Sequence, residues 1–98
     1  MKKTDKKREQ QICQALTRAC EMAKVEVQGF EWLTHLVNYK QFPNSLSVIC
    51  IFETKADLKQ ACQDHKDQLM VALIKAELEQ INIRFKDIKR HVFFDTKK

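Results

Sequence analysis

The stretch LSVICIF, residues 46–52, limits the possible folds of this chain more than any other. Six of its seven residues are apolar, and Val48, Ile49 and Ile51 are β-branched. Pro43-Asn44 marks a turn before it, and Thr54 reads as a helix cap after it. A run this short, bounded by turn signals and rich in β-branched residues, reads as a strand. Because it is apolar on both faces, it is expected inside its sheet, with Val48, Ile49, Cys50 and Ile51 all buried.

An interior strand needs a neighbour on each edge, and two segments can provide one. FEWLTHLVNY, Phe30 to Tyr39, is aromatic and β-branched and lies just before the turn, so it predicts the first arm of a hairpin. HVFFDT, His91 to Thr96, reads as a third strand.

The remaining segments read as helices. Thr4-Asp5 is read as a helix start, and Ile12, Leu16, Ala19, Cys20, Ala23 and Val27 then recur every three or four residues. Residues 5–11 contain nothing apolar, so residues 1–11 are expected to form a polar, basic extension beyond the core. Gly29 suits the left-handed position that closes a helix. Thr54-x-x-Asp57 resembles a capping box with Asp in place of Glu, and a helix follows through Leu58, Ala61 and Cys62. QDHKDQ, Gln63 to Gln68, is polar enough to break it before a wide apolar helical face, Leu69 to Leu78, that Asn82 can end. The fold expected is α+β, a small three-stranded sheet packed against helices in the order α-β-β-α-α-β, as a single domain over residues 1–98.

Several functions are disfavoured by what the chain lacks. It has one glycine and one proline. Backbone loops that cradle phosphates usually need glycine, so neither a nucleotide-binding fold nor a small-molecule cofactor is expected. No apolar run approaches the roughly 20 residues that cross a bilayer, and no apolar segment follows the N-terminal lysines. A cytoplasmic location is therefore expected, with Cys13, Cys20, Cys50 and Cys62 as reduced thiols. Cys13 and Cys20 share a helical face, and Cys50 and Cys62 occur at apolar positions, so core roles are expected. Without C-x-x-C or H-x₃-H spacing, no metal site is expected. His35 and Glu31 can share one face of a strand, but no nucleophile or glycine-rich oxyanion turn lies near them, so no enzyme is expected.

The net charge of +5 is unevenly spread. Residues 1–8 carry +4, residues 84–98 carry +4, and residues 9–83 carry −3. Lys2, Lys3, Lys6, Lys7 and Arg8 at one end, with Arg84, Lys86, Lys89 and Arg90 near the other, are candidate phosphate contacts. Phe85, Phe93 and Phe94 are interleaved with the second group and can offer stacking surfaces to bases. The function expected is low-specificity nucleic-acid association through the basic termini. The alternative is a protein-interaction module or homodimer that uses an open sheet edge and Phe42 in the hairpin turn.

The order α-β-β-α-α-β resembles the type II K-homology domain, which clamps single-stranded nucleic acid with a G-x-x-G loop between paired helices. Gln63 to Gln68 stands at that place without glycine and with two acids, so the resemblance implies the fold and not the clamp. Through GFEWLTHLVNY, the apolar strand after it and a DT near the end, the chain is also similar to small bacterial proteins of about this length. Some of those are labelled as relatives of the factor for inversion stimulation, a helix-turn-helix DNA-bending protein. That resemblance implies a bacterial cytoplasmic protein. A helix-turn-helix needs a C-terminal helix pair, whereas residues 83–96 alternate as strand.

Overall fold

The computed structural model describes residues 3–42 and 44–97. The elements run α1 (Lys3–Glu26), β1 (Phe30–Leu36), β2 (Ser47–Phe52), α2 (Lys55–Gln63), α3 (Lys66–Glu79) and β3 (Val92–Thr96), which is the expected α+β order. Single turns of 3-10 helix lie at Tyr39–Gln41 and Ile88–His91.

The 24 residues of α1 span about 36 Å at the helical rise, most of the molecule's 41 Å length. Its buried stripe is Ile12, Ala15, Leu16, Ala19 and Ala23, each at most 2% exposed. Three alanines in that stripe let the helix approach α3 and β1 closely. The helix already includes Lys3, so Thr4 lies inside it and is not its cap. Gly29 turns the chain into β1 with φ +84°, and its carbonyl accepts the Glu53 N–H at 2.9 Å.

β1 and β2 form the expected antiparallel hairpin, from Phe30 opposite Phe52 to Leu36 opposite Ser47, with Glu31 as a bulge residue. β2 is the central strand, as its apolar run implies, and β3 pairs with it in parallel, Val48 opposite Val92 and Phe52 opposite Thr96. Parallel pairing needs a crossover, which α2 and α3 supply. Thr54 Oγ1 accepts the Asp57 N–H at 3.1 Å, so the capping box starts α2 as read. His65 (φ +61°) separates α2 from α3, and Asn82 (φ +63°) turns the chain away after α3.

Burial along β2 alternates and corrects one expectation. Val48, Cys50 and Phe52 are fully buried, but Ile49 and Ile51 are only half-buried. The helices cover one face of the sheet. Facing them are Phe30, Leu33, Val48, Cys50, Phe52, Val92 and Phe94, all part of the core or packed on it. The uncovered face carries Trp32, Leu36 and Phe93, which are 43%, 67% and 48% exposed, together with Ile49 and Ile51.

On the covered side, Arg18 of α1 donates to Glu77 of α3 at 2.8 Å and neutralises a carboxylate that is nearly buried.

Candidate nucleic-acid interface

The strand directions decide where the two basic clusters go. β1 ends, and β2 and β3 begin, at the same end of the sheet, because β2 is antiparallel to β1 and parallel to β3. The N-terminal half of α1 lies at that end too, since Glu9 reaches His35 near the end of β1. Arg8 lies over the Phe42 ring, 4.8 Å from its centroid. Arg8, Gln11, Phe42, Ile81, Asn82 and Ile83 line one shallow groove, which puts the start of α1 directly beside the segment carrying Arg84. His91 Nδ1 donates to the Leu46 carbonyl at 2.9 Å and fixes the 84–91 segment against the start of β2.

Clusters some eighty residues apart in sequence therefore converge at one end of the fold. Lys6, Lys7, Arg8, Lys40, Arg84, Lys86 and Arg90 are all exposed there. Asp87 accompanies them, 3.7 Å from Arg90. Lys89 is exposed as well, but it faces a groove shared with Asp67, Gln68 and Val71 of α3. Lys2 lies outside the described residues, and for Lys3 only the backbone is described.

Lys97 goes elsewhere, and Lys98 lies outside the described residues. The N–H of Lys97 donates to the Phe52 carbonyl. Its ammonium lies 3.0 Å from Glu53 and 3.9 Å from Glu31, and 5.6 Å over the Trp32 ring. Hydrogen bonding to Glu53 raises the Lys97 pKa, partly opposed by desolvation. At this opposite end, Lys97 is paired with two carboxylates.

The three interleaved phenylalanines have separate fates. Phe85 is half-buried and stacks on His91 with ring centroids 3.9 Å apart. Phe94 is half-buried against Phe52. Phe93 points to the open face, 48% exposed and three residues from Arg90. Phe42 is half-buried and packed against the core, so much of its ring is used inside the molecule.

A second cluster lies beside the basic end and has no local sequence signature. Glu9 Oε1 accepts from Cys13 Sγ at 3.6 Å and from His35 Nε2 at 3.0 Å. One ligand-type atom from each of the three residues lies within 4.8 Å of the others. Glu9 and Cys13 are one helical turn apart on α1, and His35 arrives from β1. A groove of about 320 Å³ adjoins them, lined in part by Thr17, Cys20, Glu21 and Leu33. The Cys13 pKa is raised by desolvation and then by the Glu9 charge and hydrogen bond, so the thiol stays protonated.

Cys50 has the core role expected of it and Cys20 packs against the core, whereas Cys13 and Cys62 depart from that expectation. Cys50 is buried, and its pKa is pushed up to about 12, chiefly by desolvation. Cys20 is half-buried, whereas Cys13 and Cys62 are exposed. Each exposed thiol sits one position past a buried residue, Ile12 and Ala61, and so falls outside the buried stripe of its helix.

Among the described residues, no helix is long and apolar enough to cross a membrane. No family model matches the chain, and neither the curated proteins nor the solved structures contain a match to it.

Proposed function

We propose that the protein binds nucleic acid with little sequence specificity through its basic end, and that single strands are preferred. The observation that carries this is that the segments bearing Lys6, Lys7 and Arg8 and those bearing Arg84, Lys86 and Arg90 meet at one end of the fold, with Phe93 exposed on the open sheet face three residues from Arg90. Clustered cations supply affinity by releasing counterions from phosphates. An exposed aromatic ring gives an unpaired base a surface to stack on, which a duplex cannot use. Two exposed free thiols suit a reducing compartment such as the cytoplasm.

The test is fluorescence anisotropy with labelled single-stranded and duplex DNA and RNA over a range of salt. Affinity for single strands is expected to fall with salt at a slope of about −0.7 per phosphate neutralised. Replacing Arg84, Lys86 and Arg90 together with Gln is expected to flatten that slope by about two units. The same change at Lys6 and Lys7 should flatten it by a little over one unit. No binding at low salt, or an unchanged slope in both variants, refutes the proposal.

The open sheet face favours a second reading, a homodimer or protein-interaction module. Trp32, Leu36 and Phe93 are exposed on it, beside the half-buried Ile49 and Ile51, and β1 and β3 are the sheet's edges. The Phe42 turn adds only the part of its ring left outside. A dimer that persists at high salt in sedimentation and dissociates on Trp32→Lys favours this reading.

A further inference from the structure

We propose that Glu9, Cys13 and His35 form a binding site for a thiophilic divalent metal, zinc foremost, with one coordination position left to solvent. This goes beyond the nucleic-acid reading and does not depend on it.

Tetrahedral zinc with one sulfur, one imidazole nitrogen and one carboxylate oxygen holds those atoms about 3.4–3.6 Å apart, from the usual bond lengths. Here the oxygen lies 3.6 Å from the sulfur and 3.0 Å from the nitrogen. All three atoms lie within 4.8 Å of one another, so closing on a metal requires shifts of about 1 Å or less. Thiolate and imidazole together select zinc and its softer neighbours over magnesium or calcium, which prefer all-oxygen sites.

The supports of the three ligands suit this role. Glu9 and Cys13 are four residues apart on one continuous helix, so their spacing is set by helical geometry. His35 is held in a paired strand, its side chain only 15% exposed, and already points Nε2 at Glu9. The adjoining groove admits water to a fourth position. Cys20 is two turns further along α1, about 10 Å from Cys13 by helical rise, and cannot close the tetrahedron.

The proton balance is simple. The hydrogens now on Cys13 Sγ and His35 Nε2 both point toward Glu9. On binding, the thiol proton leaves to solvent, and the neutral imidazole gives up its Nε2 proton to solvent while taking one up from solvent on Nδ1, so one proton is released in all. Sulfur, Nε2 and the carboxylate oxygen each then offer a lone pair to the cation. The metal replaces hydrogen bonds already made, so little rearrangement of the fold is required.

The experiment uses the full chain, stripped with chelator and kept reduced, titrated with Co²⁺ and Zn²⁺. One equivalent of Co²⁺ is expected to bind and to show a thiolate-to-cobalt charge-transfer band in the near ultraviolet. Zn²⁺ should displace it and raise the melting temperature. Loss of an outer partner alone costs metal sites about 10–100-fold in affinity, so Cys13→Ser and His35→Gln should each weaken binding by more than tenfold. Cys13→Ser should also abolish the band. Cys13 is exposed, so its serine variant should fold as the wild type does, and circular dichroism verifies this. Cys62→Ser, at the other exposed thiol, should leave binding and spectrum unchanged. A wild type that binds no more tightly than Cys13→Ser overturns the proposal, as does a band lost in Cys62→Ser.

Discussion

Replacing Gly29 with alanine is expected to be among the most damaging single-methyl additions to this fold. Two separate costs arise at that position. At φ +84° an L-residue is strained, at a cost of about 1–2 kcal/mol. The added Cβ would also lie 2.5 Å from both Cβ and Cγ of Asp57. Asp57 cannot simply rotate away, because its Cβ is fixed by the first turn of α2. Its N–H and carboxylate are also both bonded to Thr54. Moving it releases the cap, worth about 1 kcal/mol. Together the loss should be about 2–4 kcal/mol. For a domain of this size that lowers the melting temperature by roughly 8–32 °C, at about 4–8 °C per kcal/mol. The assay is urea denaturation followed by circular dichroism, with Gly29→Ala, Asp57→Gly and the double variant. Asp57→Gly removes the three atoms nearest to the new methyl. The double variant should then lose less than the sum of the two single losses by about 1 kcal/mol or more. A Gly29→Ala loss below about 1 kcal/mol, or strict additivity in the cycle, would refute the reasoning.

Two further outcomes follow from burial. Cys50, pushed up to about 12 from the usual 9.0, keeps its proton in the folded chain over a range where the unfolded chain loses it. Its contribution to stability is full below pH 9. It should fall as pH rises from about 9 to 12, by up to about 1.4 kcal/mol per unit. Denaturation midpoints across that range should decline less steeply in Cys50→Ala; parallel declines would contradict this. On the sheet, Ile49→Ala should cost about 1–2 kcal/mol because Ile49 is half-open to water. Ile74→Ala, at a site 1% exposed, should cost about 2–5 kcal/mol. Equal losses in the two variants would mean that something covers the open face in solution.

The sequence carried the fold further than it carried the sites, for physical reasons visible at particular residues. Apolar periodicity, Gly29, Thr54-x-x-Asp57 and Asn82 act over one or two turns of chain, and each marks its boundary in the structure. The apolar run of β2 correctly implied two strand neighbours, but it could not say whether both faces would be covered. Ile49 and Ile51 are half-exposed because all three helices lie on one side. The parallel pairing of β3 depends on the α2–α3 crossover, which no residue of β3 encodes. Both basic clusters were legible as charge runs, whereas their meeting depends on strand direction. The Glu9–Cys13–His35 cluster was the least legible. Glu9 and Cys13 show a one-turn spacing that many helices share, and His35 comes from an element 26 residues from Glu9.

The central place of β2 also has a consequence during synthesis. Its first edge is satisfied early, because β1 precedes it in the chain. Its second edge pairs with β3, and β3 is made only after α2 and α3. At about 5–20 residues per second, the ribosome leaves that edge of the most apolar stretch in the chain open for several seconds. A β-branched segment with an unpaired edge is the kind that recruits its own copies into aggregates. The growing chain therefore passes through a sticky interval that the finished fold conceals. Slowing translation between residues 53 and 91 should lengthen it and lower soluble yield, without altering the stability of the chains that escape.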